Sequence, residues 1–161
     1  MSKVAPGVAR AAFDHALEHH EQAFGQFFLA KLLGFEISYP QDACRVEFPV
    51  LDFMYNPQGS LHGGVIALAM DVSMGHLLNH LQGPGATLEM KVQYLRPLRG
   101  GRAAATGRVL RRGNSIAFLE SRLTGEDGEL AAMATATWKT APSGTRREAG
   151  LPTSARGPDP A

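Results

Sequence analysis

With 161 residues, 44% of them hydrophobic and 19% charged, the chain is long enough for one domain with a real core and too apolar for a disordered segment. A formal net charge of +1 gives no electrostatic ground for nucleic acid or an anionic membrane surface as a partner. The single cysteine, Cys44, excludes an internal disulfide, and no run approaches the roughly 18 apolar residues of a membrane span.

Near the N-terminus, Phe13, Leu17, Phe24 and Phe28 recur at helical spacing with Ala16, Ala23 and Phe27 beside them, which predicts one amphipathic helix from about Val8 to Leu33, stopped by Gly34. The secretory pattern of a basic, then apolar, then small-residue stretch is absent here, so the expected compartment is a reducing cytoplasm. Strands are predicted at Phe35–Tyr39 and at Cys44–Val50, where Cys44 alternates with Val46 and Phe48 as a small core residue. A loop with Asn-Pro and Gln-Gly breakers follows from Leu51 to Leu61. Next comes an apolar helix from about Gly63 to Leu81, closed by Gly83-Pro84-Gly85.

The period then changes to two. Leu88, Met90, Val92 and Tyr94 alternate with Glu89, Lys91 and Gln93, the pattern of a half-buried strand. Further strands are predicted at Arg102–Arg112, Ser115–Gly125 and Glu129–Thr140, separated by Gly113-Asn114 and Glu126-Asp127-Gly128 turns. Small side chains around Ala103-Ala104-Ala105 and Ala131-Ala132 leave room for a helix against the sheet, which favours an α+β fold with one long central helix and antiparallel strands around it. Residues 141–161 are rich in Pro, Gly, Ser and Arg and read as a disordered tail. The histidine pairs His15/His19 and His76/His80 are one turn apart, but neither brings a third ligand in a recognisable motif, so no metal is expected.

The apolar helix carries one carboxylate, Asp71, in Val65-Ile66-Ala67-Leu68-Ala69-Met70-Asp71-Val72-Ser73-Met74. A buried ionised carboxylate is costly unless paired or hydrogen-bonded, so Asp71 is either a core group satisfied by hidden partners or one held for chemistry. His62-Gly63-Gly64 opens the helix, and Asn56 lies six residues before His62. Glycines at a helix start can present bare N–H groups at the positive end of the dipole, although they also serve as a tight turn. Asn56 before Pro57 suits an Asx turn as well as a site, and His62 suits a structural role better than that of a base.

Taken together, Leu33-Gly34, the Asn56–Gly59–His62-Gly63-Gly64 series, Asp71, Thr87, Val92-x-Tyr94-x-Arg96-Pro97 and the Gly113 turn resemble the hotdog-fold acyl-CoA thioesterases of the phenylacetic-acid-degradation type, over roughly Leu32 to Lys139. The resemblance implies a long central helix wrapped by a curved antiparallel sheet, here over 35–140, with 1–34 as an N-terminal helical extension. It also implies a homodimer, or a dimer of dimers, that hydrolyses acyl-CoA thioesters at subunit interfaces with no cofactor beyond the CoA of the substrate. By position, the Gly63 N–H would bind the thioester carbonyl with help from Asn56. Asp71 would activate water or attack, Thr87 would help to hold the water, and His62 would support the loop.

The chemistry fits those groups. A carbonyl turning into an oxyanion needs donors aimed at the developing charge, and a desolvated carboxylate is a stronger base than one in water. Gly63 and Asp71 are eight residues apart, roughly 12 Å of helical rise, so both can act on one carbonyl only if each comes from a different subunit. Gly64 and Asn114 are further candidates for substrate contact. Arg111 and Arg112 are candidates for the CoA phosphates, though a solvated basic strand end reads nearly as well. Two other functions are compatible with the sequence: an enoyl-CoA hydratase or dehydratase using Asp52, Asn56 and His62, and a non-catalytic acyl-CoA-binding protein. The acyl group is not specified.

Overall fold

The computed structural model describes residues 4–140; the tail expected over 141–161 lies outside them. The N-terminal apolar pattern folds as two helices rather than one. Helix α1 spans Pro6–His19 and α2 spans Phe28–Leu32. Two causes of the break are visible. The His19 ring nitrogen Nδ1 lies 2.9 Å from the His15 carbonyl and that of His20 lies 3.0 Å from the Ala16 carbonyl, so side chains cover the last turn of α1. Gly25 then takes φ +72°, which turns the chain back on itself. Phe13 of α1 meets Phe28 of α2 edge-on at 5.6 Å, so the predicted stripe is partly realised as a contact between the two helices. As expected, Gly34 ends the second helix in a left-handed conformation (φ +66°), with the Phe35 N–H donating to the Ala30 carbonyl.

Six strands form one sheet: β1 Glu36–Ser38, β2 Ala43–Pro49, β3 Gly85–Tyr94, β4 Arg102–Arg112, β5 Ile116–Gly125 and β6 Leu130–Thr140. Their order across the sheet is β1-β2-β4-β5-β6-β3, with every neighbouring pair antiparallel. The central helix α3, Gly63–Gln82, lies across β2 to β6. This is the hotdog arrangement: one long helix, a six-stranded antiparallel sheet around it, and the N-terminal helices added outside.

Small residues set the closeness of that packing. A Cβ on Gly107 of β4 would come within 2.6 Å of the Ser73 carbonyl oxygen, so the α3 backbone rests directly on the sheet there. A Cβ on Gly75 would come within 2.6 Å of the Trp138 ring, which fills the gap left by the glycine. Phe48, Met70, Met74, Leu77, Leu119 and Leu123 are fully buried between helix and sheet, and Cys44 joins them; burial pushes its thiol up to about 12.

Strand β3 departs from its predicted alternation. It is an edge strand, and Leu88 and Tyr94 are 55% and 54% exposed, so only Met90 and Val92 face the core in part. Thr87 pairs with Trp138 and Glu89 with Thr137, leaving Leu88 as the extra residue of a β-bulge. The bulge reverses the phase of the strand. Thr87 therefore shares the helix-facing side with Met90 and Val92, which pair with Ala136 and Ala134.

Candidate active site

The bulge brings the Thr87 hydroxyl onto α3, where it donates a 2.8 Å hydrogen bond to Asp71 Oδ1. Asp71 sits on the one side of α3 that the sheet leaves partly open, in line with half-buried Leu68 and Gly75. Burial raises the pKa of its carboxyl above the usual aspartate value, and the Thr87 hydrogen bond opposes that rise without cancelling it. The result is a partly desolvated carboxylate with one ordered donor, and its second oxygen has no hydrogen-bond partner among the described residues. It opens into a cavity of about 440 Å³ shared with His76, Trp138, Phe24 and Phe27.

His76 is buried, and desolvation lowers its pKa below the usual histidine value. Its Nδ1 lies 3.1 Å from the Tyr39 hydroxyl, and Tyr39 stacks on His80 at 4.5 Å. The two histidine pairs are thus engaged locally, His15 and His19 by stacking at 4.3 Å.

The other end of the helix forms a second cleft, of about 330 Å³, lined by Asn56, Ser60, Gly63, Tyr94 and Arg96 among others. Here the two glycines differ. His62 caps α3, its Nδ1 accepting the Gly64 N–H at 2.8 Å while its carbonyl accepts from Val65 and Ile66. That N–H is therefore not free for a substrate, which corrects the expectation that both glycines offer bare donors. The Gly63 N–H has no acceptor among the described residues and stands at the positive end of a 20-residue helix. Tyr94 closes the cleft from β3, donating to the Gly63 carbonyl at 3.1 Å.

Asn56 lines this cleft, but most of its amide is spent on its own loop. Oδ1 accepts from the Gln58 N–H at 3.0 Å and the Ser60 N–H at 3.2 Å, and Nδ2 donates to Ser60 Oγ at 3.1 Å. The Asx-turn reading accounts for these bonds, and one Nδ2 hydrogen remains for a ligand. Asp52, Asn56 and His62 do not form a carboxylate–histidine pair. The Asp52 carboxylate accepts the Ala5 N–H at 2.7 Å, and His62 serves the helix start.

Arg111, Arg112 and Asn114 line neither cleft. The two arginines are exposed at the end of β4, and the Asn114 carbonyl accepts from Thr140 Oγ1 at 3.1 Å within the predicted hairpin turn. Arg112, Ala117, Trp138 and Thr87 occupy one row across four strands, which separates Arg112 from Thr87 by roughly 14 Å along the sheet. Sequence reasoning missed His76, Trp138, Phe24 and Phe27 as cavity walls. Tyr94 it read as part of an alternation and of the Val92-x-Tyr94-x-Arg96-Pro97 pattern, without a place in the cleft.

A family model described as the thioesterase superfamily matches residues 58–132, from the Asn56 loop through α3 to the start of β6. The medium/long-chain acyl-CoA thioesterase YigI of Escherichia coli is 34% identical over 128 residues, covering 67% of this chain and 82% of that protein. The YigI of Salmonella typhimurium is 40% identical over 98 residues, and the match spans 50% of this chain and 63% of that protein's length. Among solved structures, a mutant thioesterase from Pseudomonas aeruginosa superposes with a TM-score of 0.67 at 25% identity, covering 71% of this chain and 86% of that one. A Bacillus halodurans protein solved with CoA has a TM-score of 0.76 at 23% identity, with 86% and 94% covered, and shares the fold.

Proposed function

The chain belongs to the thioesterase superfamily, and on that premise we propose that it hydrolyses acyl-CoA thioesters to the free acid and CoA. The observation that carries this reading is the pairing of a partly desolvated Asp71, held by Thr87, with an unused Gly63 N–H at the start of the same helix. In the proposed mechanism the Gly63 N–H and helix dipole polarise the thioester carbonyl and stabilise the oxyanion. The Asp71 carboxylate activates water or attacks the carbonyl itself, and the thiolate leaves without a strong general acid. Thr87 orients the carboxylate. Asn56 and His62 act as positioning residues, Asn56 shaping the loop and His62 fixing the helix start.

The mechanism calls for two copies of the chain. Gly63 and Asp71 open into separate clefts, so a thioester reaching both must lie between subunits. The outer edge of β3 supports a homodimer, because its ten residues have no strand partner on that side among the described residues and are a ready template for a second chain. Antiparallel pairing of two β3 strands about a two-fold axis would set the Thr87 end of one beside the Tyr94 end of the other. That brings Asp71 of one subunit towards Gly63 of its partner, twice per dimer.

Two variants test this. Asp71→Asn removes the base. Gly63→Pro removes the N–H at a first-turn position, after a His62 already in the extended conformation (φ −63°, ψ 135°) that a residue before proline adopts. An added Cβ stands 3.2 Å from the Tyr94 ring, which must shift slightly, so folding is checked alongside activity. Each homodimer is expected to be nearly inactive in thiol release from acyl-CoA. A purified heterodimer should recover up to about half of wild-type activity, since one of its two sites carries neither defect. Heterodimers as inactive as their parents, with both chains folded, would refute the shared site. Hydration of a crotonyl-type thioester without thiol release would refute hydrolysis.

A further inference from the structure

The cavity beside Asp71 has a wall that lies outside the residues matched by the superfamily model. Gln22, Ala23, Phe24 and Phe27, from the turn between α1 and α2, line it opposite Val72 and Trp138. The turn is built to hold its shape. The Glu21 N–H donates to the Gln26 carbonyl at 2.8 Å and the Gln26 N–H to the Ala23 carbonyl at 3.1 Å. Gly25 fits close to His76 and Ile37, where an added Cβ would stand 3.4 Å from each side chain in a left-handed conformation that disfavours it. Phe24 meets the His76 ring edge-on at 5.2 Å and yet remains 53% exposed. An aromatic ring anchored on one side and left in water on the other, at a cavity containing a desolvated carboxylate, is a surface waiting for apolar cover.

The lining also says which part of an acyl-CoA belongs here. Among the described residues its lining carries one fixed charge, the Asp71 carboxylate, and burial lowers the His76 pKa, so the lining offers no fixed cation to the CoA phosphates. Phe24, Phe27, Val72 and Trp138 offer apolar contact, and about 440 Å³ lies in the lower part of the roughly 300–1,000 Å³ range of small-molecule pockets. We propose that residues 20–27 are the acyl-length gauge of this enzyme, with Phe24 and Phe27 limiting the cavity to a medium-length aliphatic chain lying against Trp138. This rests on the hydrolysis of acyl-CoA proposed above.

The test uses the full-length protein and two substitutions in the gauge. Phe24→Ala lengthens the cavity at an exposed position, and Ala23→Phe, also exposed, shortens it. Thiol release is measured with straight-chain acyl-CoAs from butanoyl to hexadecanoyl. Each additional methylene that the cavity accepts is worth about fourfold in binding. Phe24→Ala should therefore raise the tetradecanoyl-to-octanoyl ratio of kcat/KM by about tenfold, acting through KM, and Ala23→Phe should lower it. Both ratios remaining within twofold of wild type, with unchanged melting temperatures, would overturn the gauge. The chain's one tryptophan, Trp138, supplies a second readout that needs no turnover. Its fluorescence, titrated with fatty acids from hexanoate to tetradecanoate, should report tightest binding at longer chains in Phe24→Ala than in wild type. The same optimum in both proteins, or no response to any acid, would refute the proposal. If wild type released no thiol from any acyl-CoA, the hydrolysis reading would fall and the fluorescence optimum would still decide the gauge.

Discussion

Replacing Asp71 with Asn separates what the carboxylate does for chemistry from what it costs the fold. The two side chains have nearly the same size, and the Thr87 hydroxyl that donates to Asp71 Oδ1 at 2.8 Å can donate equally to the amide oxygen. Geometry should persist while the base disappears. Loss of a positioned base lowers kcat by about 100-fold or more, equivalent to about 2.7 kcal/mol of transition-state stabilisation at 1.36 kcal/mol per decade. Stability should move the other way. Because burial raises the Asp71 pKa, the folded protein holds that proton more tightly than the unfolded chain. The contribution is favourable below the unfolded carboxylate pKa and is lost as pH rises through the folded one. Near neutrality the wild type therefore carries the penalty of an ionised, partly buried group, and Asn removes it. The variant should melt at or above the wild-type temperature at pH 7.5, and this advantage should vanish towards pH 4. Thermal melts across that range, with thiol release on matched samples, check both signs. Activity within threefold of wild type would remove Asp71 from the chemistry. A variant that loses activity only because it unfolds would refute the claim that the carboxylate is a burden on the fold.

Thr87→Val deletes the hydrogen bond that lowers the Asp71 pKa, so the acid limb of the kcat/KM profile should shift to higher pH, while Thr87→Ser should hold it in place; identical limbs in the three proteins would exclude Thr87 from tuning the carboxylate. His62→Ala leaves the Gly64 N–H uncapped and should cost about 1 kcal/mol, or about 2–4 °C in Tm for a chain of this length. His62→Asn should restore most of that stability, and an unchanged Tm in His62→Ala would show that the cap contributes nothing.

Much of the candidate site was legible because its residues violate local patterns. A carboxylate inside an apolar helix and paired glycines at that helix's start are visible without any structure, as are the hairpin turns at Gly113-Asn114 and Glu126–Gly128. The buried alanines at Ala103-Ala104-Ala105 and Ala131-Ala132 were equally plain as small core positions. What escaped depends on events between elements. Strict alternation through Leu88, Met90 and Val92 points Leu88 inward and Thr87 outward, and the bulge at Leu88 exchanges the two. No composition rule marks that extra residue, since its cause lies in the pairing with β6. The same holds at the N-terminus, where helical spacing runs unbroken from Phe13 to Phe28. It took the histidines covering the end of α1, and a left-handed Gly25, to divide it. Gly25 weakens the helix propensity there, and the edge-on contact of Phe24 with His76 holds the chain in the turn.

The division of labour along β3 connects these particulars. One strand touches both halves of the proposed chemistry: Thr87 near its start steadies Asp71, and Tyr94 at its end holds the Gly63 carbonyl. Its inner edge is paired with β6, and its outer edge has no partner among the described residues. A long exposed edge is a hazard that natural sheets usually blunt, and here Leu88, Tyr94 and Leu95 add exposed apolar surface to it. Those features are liabilities in an isolated chain and assets in a two-fold pair. A partner's β3 would cover the edge, and the partly open side of α3 at Leu68, Asp71 and Gly75 would gain a neighbour. On this reasoning the water exclusion proposed to strengthen Asp71 as a base would be completed by association, so dilution that dissociates such a dimer should cost activity before it costs secondary structure. Catalysis and assembly would then depend on the same ten residues of edge strand.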